Sequence, residues 1–272
     1  MKIHWPDIVR IAEVLVRAET DSLDVPPTLR RVHYLLVSSV AATAAGYRNT
    51  QGCYKGLSDK LARARETGGF PRLTDLTRRV QYPLTFTDEQ DARDWLAEQF
   101  MLDRRSLFTR RTVIAVEKAG LVPLIRSRFG WMDVTALSGY SSLTHAQSLV
   151  RYDVIVYAGD YDPSGLDISR DIGARTGAEV VRVALSRDQV DEYALVPMPA
   201  KGTDSRLASM IASEGSAMQV ELDAMDPAVL LDLIAEGVAE ATDLEIQENG
   251  WPVTDDLDAE EEAIRERLRE GV

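Results

Sequence analysis

Apolar residues recur at helical spacing through the first third of the chain. The pattern predicts an amphipathic helix over Asp7–Ala18 and, after the Pro26-Pro27 loop, a second over Leu29–Ala44 with Thr28 as its cap. A third is predicted over Tyr54–Glu66, stopped by Gly68-Gly69 and Pro71. At about 100° per residue, Tyr54, Leu57, Leu61 and Ala64 share one face of this third helix, and Lys55, Lys60 and Arg63 fall on the other. Residues 72–87 fit a wing or an edge strand, with Pro83 limiting its pairing, and a helix over Glu89–Phe100 follows. From there the period changes. Thr112–Glu117 and Asp153–Asp160 read as buried strands, with a shorter strand near Asp133–Leu137 and another in AEVVRVAL. Helices over Leu121–Phe129, from Leu143, and over Gly165–Thr176 separate them. Such strand–helix alternation predicts an open parallel α/β sheet. VPMPAKGTD reads as a loop, and Asp226–Ala241 and Asp258–Arg269 as acidic amphipathic helices.

Charge sharpens this division. The chain of 272 residues carries a net charge of -13, but unevenly. Residues 1–115 hold 18 basic and 14 acidic side chains, residues 116–187 balance, and residues 188–272 hold 5 against 22. Within 28–80 the excess is +7. Three helices with a basic outer face on the last suggest a helix-turn-helix or winged-helix DNA-binding domain over 1–110, with Lys55, Lys60 and Arg63 on the DNA side. An ordinary solvated surface helix accounts for the same pattern. The open sheet then covers 111–215, and an acidic helical segment, read as a solvating or self-shielding tail, covers 216–272. A lone cysteine, Cys53, rules out a disulfide framework and a cysteine zinc site. The opening MKIHWPDIVR is not a signal peptide and no apolar run suits a bilayer, so a cytoplasmic protein without a membrane partner is expected.

In open α/β sheets ligands bind beyond the carboxyl ends of the strands. Glu117 ends the first apolar strand, Asp160 ends the second, and Asp162 follows. Carboxylates on rigid strand ends suit Mg²⁺, which takes hard oxygen donors and neutralises charge developing on a phosphodiester. The same Asp160 and Asp162 also suit a turn before Pro163 and a cap on the next helix. Asp167 and Asp171 fall in that helix's first turns and favour its dipole.

At these residues the chain resembles a Toprim domain, most nearly that of the topoisomerase VI A subunit and its meiotic double-strand-break relatives. VIAVEKAGLVPLI (Val113–Ile125), the turn LSGYSS, and VIVYAGDYDPSGLDI (Val154–Ile168) follow that family's order: a strand ending V-E-K, a glycine turn, then a strand ending D-x-D-P-x-G. Upstream, TLRRVHY (Thr28–Tyr34) stands where the family carries its nucleophilic tyrosine, so the resemblance implies that Tyr34 is the nucleophile. Arg31 replaces an acidic residue of that motif and His33 an aromatic one, and the chain is shorter than the full A subunits. Arg30, one helical turn before Tyr34, could hold a phosphate or stabilise the phenolate, which a tyrosine with an ordinary pKa of about 10 needs. A core tyrosine packed against the third helix is the alternative. His33 points elsewhere and is not read as a base; His145 is read as structural.

The resemblance implies a Mg²⁺-dependent transesterase acting on double-stranded DNA as a homodimer. Tyr34, Arg30 and Glu117 would be its catalytic residues, and Glu117, Asp160 and Asp162 its metal ligands. No ATPase module is present, so coupled strand passage would need a separate partner. A Toprim nuclease that uses water, serving plasmid or phage conflict, is the first alternative. A non-catalytic DNA-binding module is the second.

Overall fold

The protein is described here by a computed structural model covering residues 3–23, 26–74, 83–139, 142–200, 204–215 and 217–271. Helix α1 (Trp5–Leu23) buries Ile8, Ala12 and Val16, one residue per turn. Helix α2 (Leu29–Ser38) is capped by Thr28, whose hydroxyl accepts from the Arg31 amide. The single helix expected to run to Ala44 is broken. Ser39 turns extended and caps a separate α3 (Val40–Ala44) by accepting from the Ala42 amide. A serine side chain offers the backbone this alternative to continued helix. Helix α4 (Gln51–Glu66) begins three residues before the expected Tyr54, because Thr50 caps it. Leu57 and Leu61 are fully buried against α1 and α2 together with Val32, Leu36 and Tyr47. Lys55 and Arg63 are exposed and Lys60 is half-buried. Half of the expected wing or edge strand, residues 75–82, lies outside the described residues, and residues 83–86 form no strand.

After α5 (Glu89–Gln99) the chain builds a four-stranded parallel sheet from β1 (Thr112–Val116), β2 (Val134–Ala136), β3 (Val154–Ala158) and β4 (Glu179–Ala184), ordered β2-β1-β3-β4. Every residue of β1 and β3 is buried, as expected for apolar runs covered on both faces. Alternation sorts the side chains. Ile114, Val116, Val154 and Val156 meet α6 (Val122–Arg128) and a later helix over Pro227–Thr242 on one face. Val113, Ala115, Ile155 and Tyr157 meet α7 (Leu143–Leu149) and α8 (Pro163–Thr176) on the other. The protein is thus a mixed α/β chain with a parallel sheet.

Beyond β4 come α9 (Arg187–Glu192), the short antiparallel pair β5 (Met198–Pro199) and β6 (Met218–Gln219), and α10 (Leu207–Glu214). Neither helix is expected from the sequence: α9 (RDQVDE) is polar, and α10 (LASMIASE) is only eight residues long. Helices α11 (Pro227–Thr242) and α12 (Asp255–Glu270) follow.

These last helices do not form a solvated tail. Leu230, Leu231, Ile234, Val238 and Ala241 of α11 belong to the main sheet core. Helix α12 lies along α5. Its Glu261 accepts from Arg104 at 2.6 Å, while Asp258 bonds the same guanidinium, which sits 4.7 Å from the Trp251 ring centroid. The charge count missed this because acidic side chains meeting arginines in the fold read as excess in the sequence. No described helix is long and apolar enough to cross a membrane.

Arg104 is 2% exposed, and removing it takes from the buried Glu261 one of its two arginines, leaving Arg265 at 2.6 Å and the Leu102 amide at 2.9 Å. Arg104→Met should cost about 2 kcal/mol in urea unfolding, the loss of charge-assisted hydrogen bonds rather than of all compensation. Truncation after Trp251 should also destabilise the fold; a loss within error for both would show that α12 is dispensable.

Candidate functional site at the carboxyl ends of the strands

The backbone brings the predicted acids together. Glu117 follows β1, and its amide continues the ladder by donating to Ala158 O at 3.0 Å. Its carboxylate Oε2 accepts from the Asp160 amide at 2.8 Å, with the Tyr157 hydroxyl at 3.5 Å. Asp162 caps α8, accepting from the Gly165 amide at 2.6 Å. Gly165 is required by space. A Cβ there would lie 2.2 Å from the Asp160 carbonyl oxygen and 3.1 Å from Glu117 Oε2. Arg182 fastens the turn from below, donating to the carbonyls of Gly159, Asp160 and Gly165 at 3.1, 2.7 and 2.7 Å.

Asp160 points differently from Glu117. Its Oδ1 accepts from the Leu222 amide at 2.7 Å, and its Oδ2 lies 3.0 Å from Lys118 Nζ. The same ammonium reaches Glu221 Oε2 and Asp223 Oδ2, each at 3.0 Å. These two acids arrive because Tyr161 and Val220 form an antiparallel bridge just beyond β3. Glu221 also pairs with Arg30 of α2. A continuous ionic path therefore runs from the end of β3 through Lys118 and Glu221 to the N-terminal helices. The sequence reading missed Lys118, Glu221 and Asp223. Lys118 was visible in V-E-K, and Glu221-x-Asp223 repeats the D-x-D spacing, but nothing local names their partners.

Burial raises the Asp160 pKa to about 7; Lys118 offsets part of this, and the charge of Glu117 adds to it. Burial likewise raises Glu117, against the pull of the Asp160 amide and with repulsion from Asp162. For Lys118, burial works against the charged form, but Asp223, Asp160 and Glu221 outweigh it and hold the ammonium above its ordinary pKa. Partial burial works against the charge of Glu221 too, yet Lys118 and Arg30 keep it below the usual carboxylate range.

Tyr34 joins this cluster within one chain. The charges of Glu221, Lys118, Arg30 and Asp223 all act on its hydroxyl, and burial, first, then Glu221 raise its pKa. The tyrosine is 5% exposed. Tyr34 is shut among paired charges rather than open to solvent. Arg128 Nε is the only buried side-chain polar atom without a partner among the described residues. Arg30 also stacks 5.2 Å from the Tyr54 ring centroid, so the first turn of α4 borders the site. Lys55, Lys60 and Arg63 follow Tyr54 along the same helix.

His33 is a core residue, bonded to the Tyr47 hydroxyl at 2.7 Å and Asn49 Oδ1 at 3.1 Å. His145 bonds Thr135 Oγ1 at 2.9 Å. Asp167 and Asp171 pair with Arg170 and Arg175 on α8. Among the described residues no three acids, histidines or cysteines stand close enough to hold a metal. Glu117, Asp160 and Asp162 in this arrangement therefore do not form a ready cage, because Asp160 is committed to Lys118 and the Leu222 amide.

The raised Asp160 pKa has a definite sign. Between about pH 4 and about pH 7 the unfolded chain gives up a proton that the folded one keeps, so ionisation costs stability as pH rises through that window. The unfolding free energy of Asp160→Asn, relative to the parent, should therefore improve from about pH 4 to about pH 7 and then level off. A difference that stays constant across the window would contradict this.

Comparison with known protein families, with curated proteins and with solved structures found no match to this chain.

Proposed function

We propose that this chain is a DNA-cleaving enzyme of the Toprim kind, a transesterase like the topoisomerase VI A subunit, with a winged-helix-like N-terminal domain. One observation carries the reading. Adjacent parallel strands β1 and β3 deliver Glu117, Asp160 and Asp162 to one sheet edge, and α2 brings Tyr34 and Arg30 against that same edge through the Arg30–Glu221–Lys118–Asp160 path.

In the proposed reaction the Tyr34 oxygen attacks a backbone phosphorus. A phosphotyrosyl bond forms, one phosphorus–deoxyribose oxygen bond breaks, the phenol proton leaves and the departing oxygen takes up a proton. Arg30 is suited to hold the phosphate through its planar guanidinium. Glu117, whose pKa burial raises, is suited to exchange a proton. Mg²⁺ is proposed as the cofactor, with Glu117, Asp160 and Asp162 its ligands once Asp160 is released from Lys118; it would supply neutralisation of phosphate charge. The exposed Lys55 and Arg63, with Lys60, are proposed to contact double-stranded DNA, and a homodimer and a separate ATPase partner belong to the same reading.

The burial of Tyr34 favours a second reading, hydrolysis by water at the same acids with the tyrosine structural. Trapping under denaturing conditions separates the two. The parent chain with Mg²⁺ and duplex DNA should yield a covalent protein–DNA species that chelator abolishes. Tyr34→Phe should lose the adduct while retaining DNA binding and thermal stability. Free DNA ends without an adduct, unchanged in Tyr34→Phe, would establish hydrolysis instead.

DNA binding should also weaken steeply with salt. Replacing Lys55, Lys60 and Arg63 together by glutamine should reduce the slope of log affinity against log salt by roughly 3, one counterion per lost phosphate contact. An unchanged slope would remove α4 from the DNA surface.

A further inference from the structure

We propose that Arg30 and Lys118 form a phosphate-binding site beside Tyr34, shaped for a DNA backbone phosphodiester, and that the chain's own Glu221 and Asp223 occupy it in the free protein. The inference rests on the DNA-cleaving reading and adds its regulation: the site is masked by an internal stand-in for the substrate.

The masking side chains are anions in the place a phosphate would take. Glu221 bridges the two cations, bonding Arg30 on one side and Lys118 Nζ at 3.0 Å on the other. Asp223 adds a second oxygen on Lys118 at 3.0 Å. A guanidinium fork and an ammonium that accept two carboxylates in this way accept the oxygens of a phosphodiester by the same charge-assisted bonds. Tyr34 lies within the field of both cations and both carboxylates, so whatever replaces Glu221 arrives beside the phenol. Access exists from the cation side, because the Arg30 and Lys118 side chains are 40% and 26% exposed.

The masking segment carries few ladder bonds, although Val220, Leu222 and Met225 are buried in the main core and Arg30, Arg31 and Lys118 all bind it. It enters through a strand pair two residues long and a single bridge at Tyr161–Val220. It is then fixed by the Leu222 amide on Asp160 and by Arg31 donating to the Met225 carbonyl at 2.8 Å. Behind it lies a cavity of about 360 Å³, lined by Leu121, Leu124, Leu222, Met225 and Leu230. A segment with few ladder bonds and unfilled space behind it opens at lower cost than the sheet core. Its withdrawal would release Asp160 and uncover Tyr34 in one movement. A permanent structural clasp between the N-terminal helices and the sheet is the competing account of the same contacts.

The test uses the full chain, with inorganic pyrophosphate and a short DNA duplex as probes at constant ionic strength. Neutralising the mask in Glu221→Gln/Asp223→Asn should tighten binding of both probes at least tenfold, and adding Arg30→Gln should reverse the gain. Hydrogen exchange on the parent chain gives a second readout that needs no variant. Saturating duplex should speed exchange at the Leu222 amide, whose acceptor is Asp160. Unchanged affinities in a folded double variant overturn the mask, as does a Leu222 amide equally protected with and without bound duplex. If the parent binds duplex but neither readout moves, the mask fails and the DNA reading stands. If the unmasked variant gains pyrophosphate binding but no affinity for duplex, the anion site stands and the DNA reading fails.

Discussion

Everything around the strand ends depends on one half-buried ammonium. Lys118 sits among Asp160, Glu221 and Asp223, each 3.0 Å away. Without it three carboxylates would face one another in a setting where solvent screens little, and burial would force protons onto them or drive them apart. With it, the end of β3, the 221–223 segment and, through Glu221 and Arg30, helix α2 are joined. The position of Lys118 is set by its neighbour. Glu117 continues β1 with its side chain toward the Asp160 amide, and the next residue reaches the other way, toward the acids carried in from the C-terminal half.

The same principle organises the chain at larger scale. The basic front half and the acidic back half are complementary within one molecule. Arg30 meets Glu221, Arg104 meets Asp258 and Glu261, and Arg31 bonds the Met225 carbonyl while pairing with Glu19. Charge asymmetry along a sequence is often the footprint of a nucleic-acid partner. Here part of it is consumed inside the fold, and the basic charge that remains outward, on α4, is what the DNA reading draws on.

A shut tyrosine and a cation-plugged carboxylate describe a resting site more naturally than a working one. A phenol with a pKa above its ordinary value is a poor nucleophile, and what raises it, burial and then Glu221, is what withdrawal of the 221–223 segment would relieve. The proposed transesterase chemistry and the proposed mask are therefore linked by one moving part. In the hydrolytic reading the tyrosine can remain closed and only Asp160 needs release.

Local physics in the sequence was enough for the sheet. Continuous apolar runs at 112–116 and 154–158, separated by capped helices, could only be buried parallel strands, and strand-end placement put Glu117, Asp160 and Asp162 at one edge. The caps Thr28 and Asp162 act on amides three residues away and so are readable locally; Thr50 caps with the same spacing, but the sequence reading starts that helix only at Tyr54. Ser39 shows the limit of periodicity: the apolar spacing continues through it, and its side chain still ends the helix. What only the tertiary structure decided are pairings across large separations. Lys118 meets acids more than a hundred residues away, Arg30 meets Glu221 across nearly two hundred, and α12 returns to α5. Charge attraction has no sequence period. An acid that will be sealed against an arginine carries the same letter as one left in water, and only packing of the apolar faces determines which it becomes.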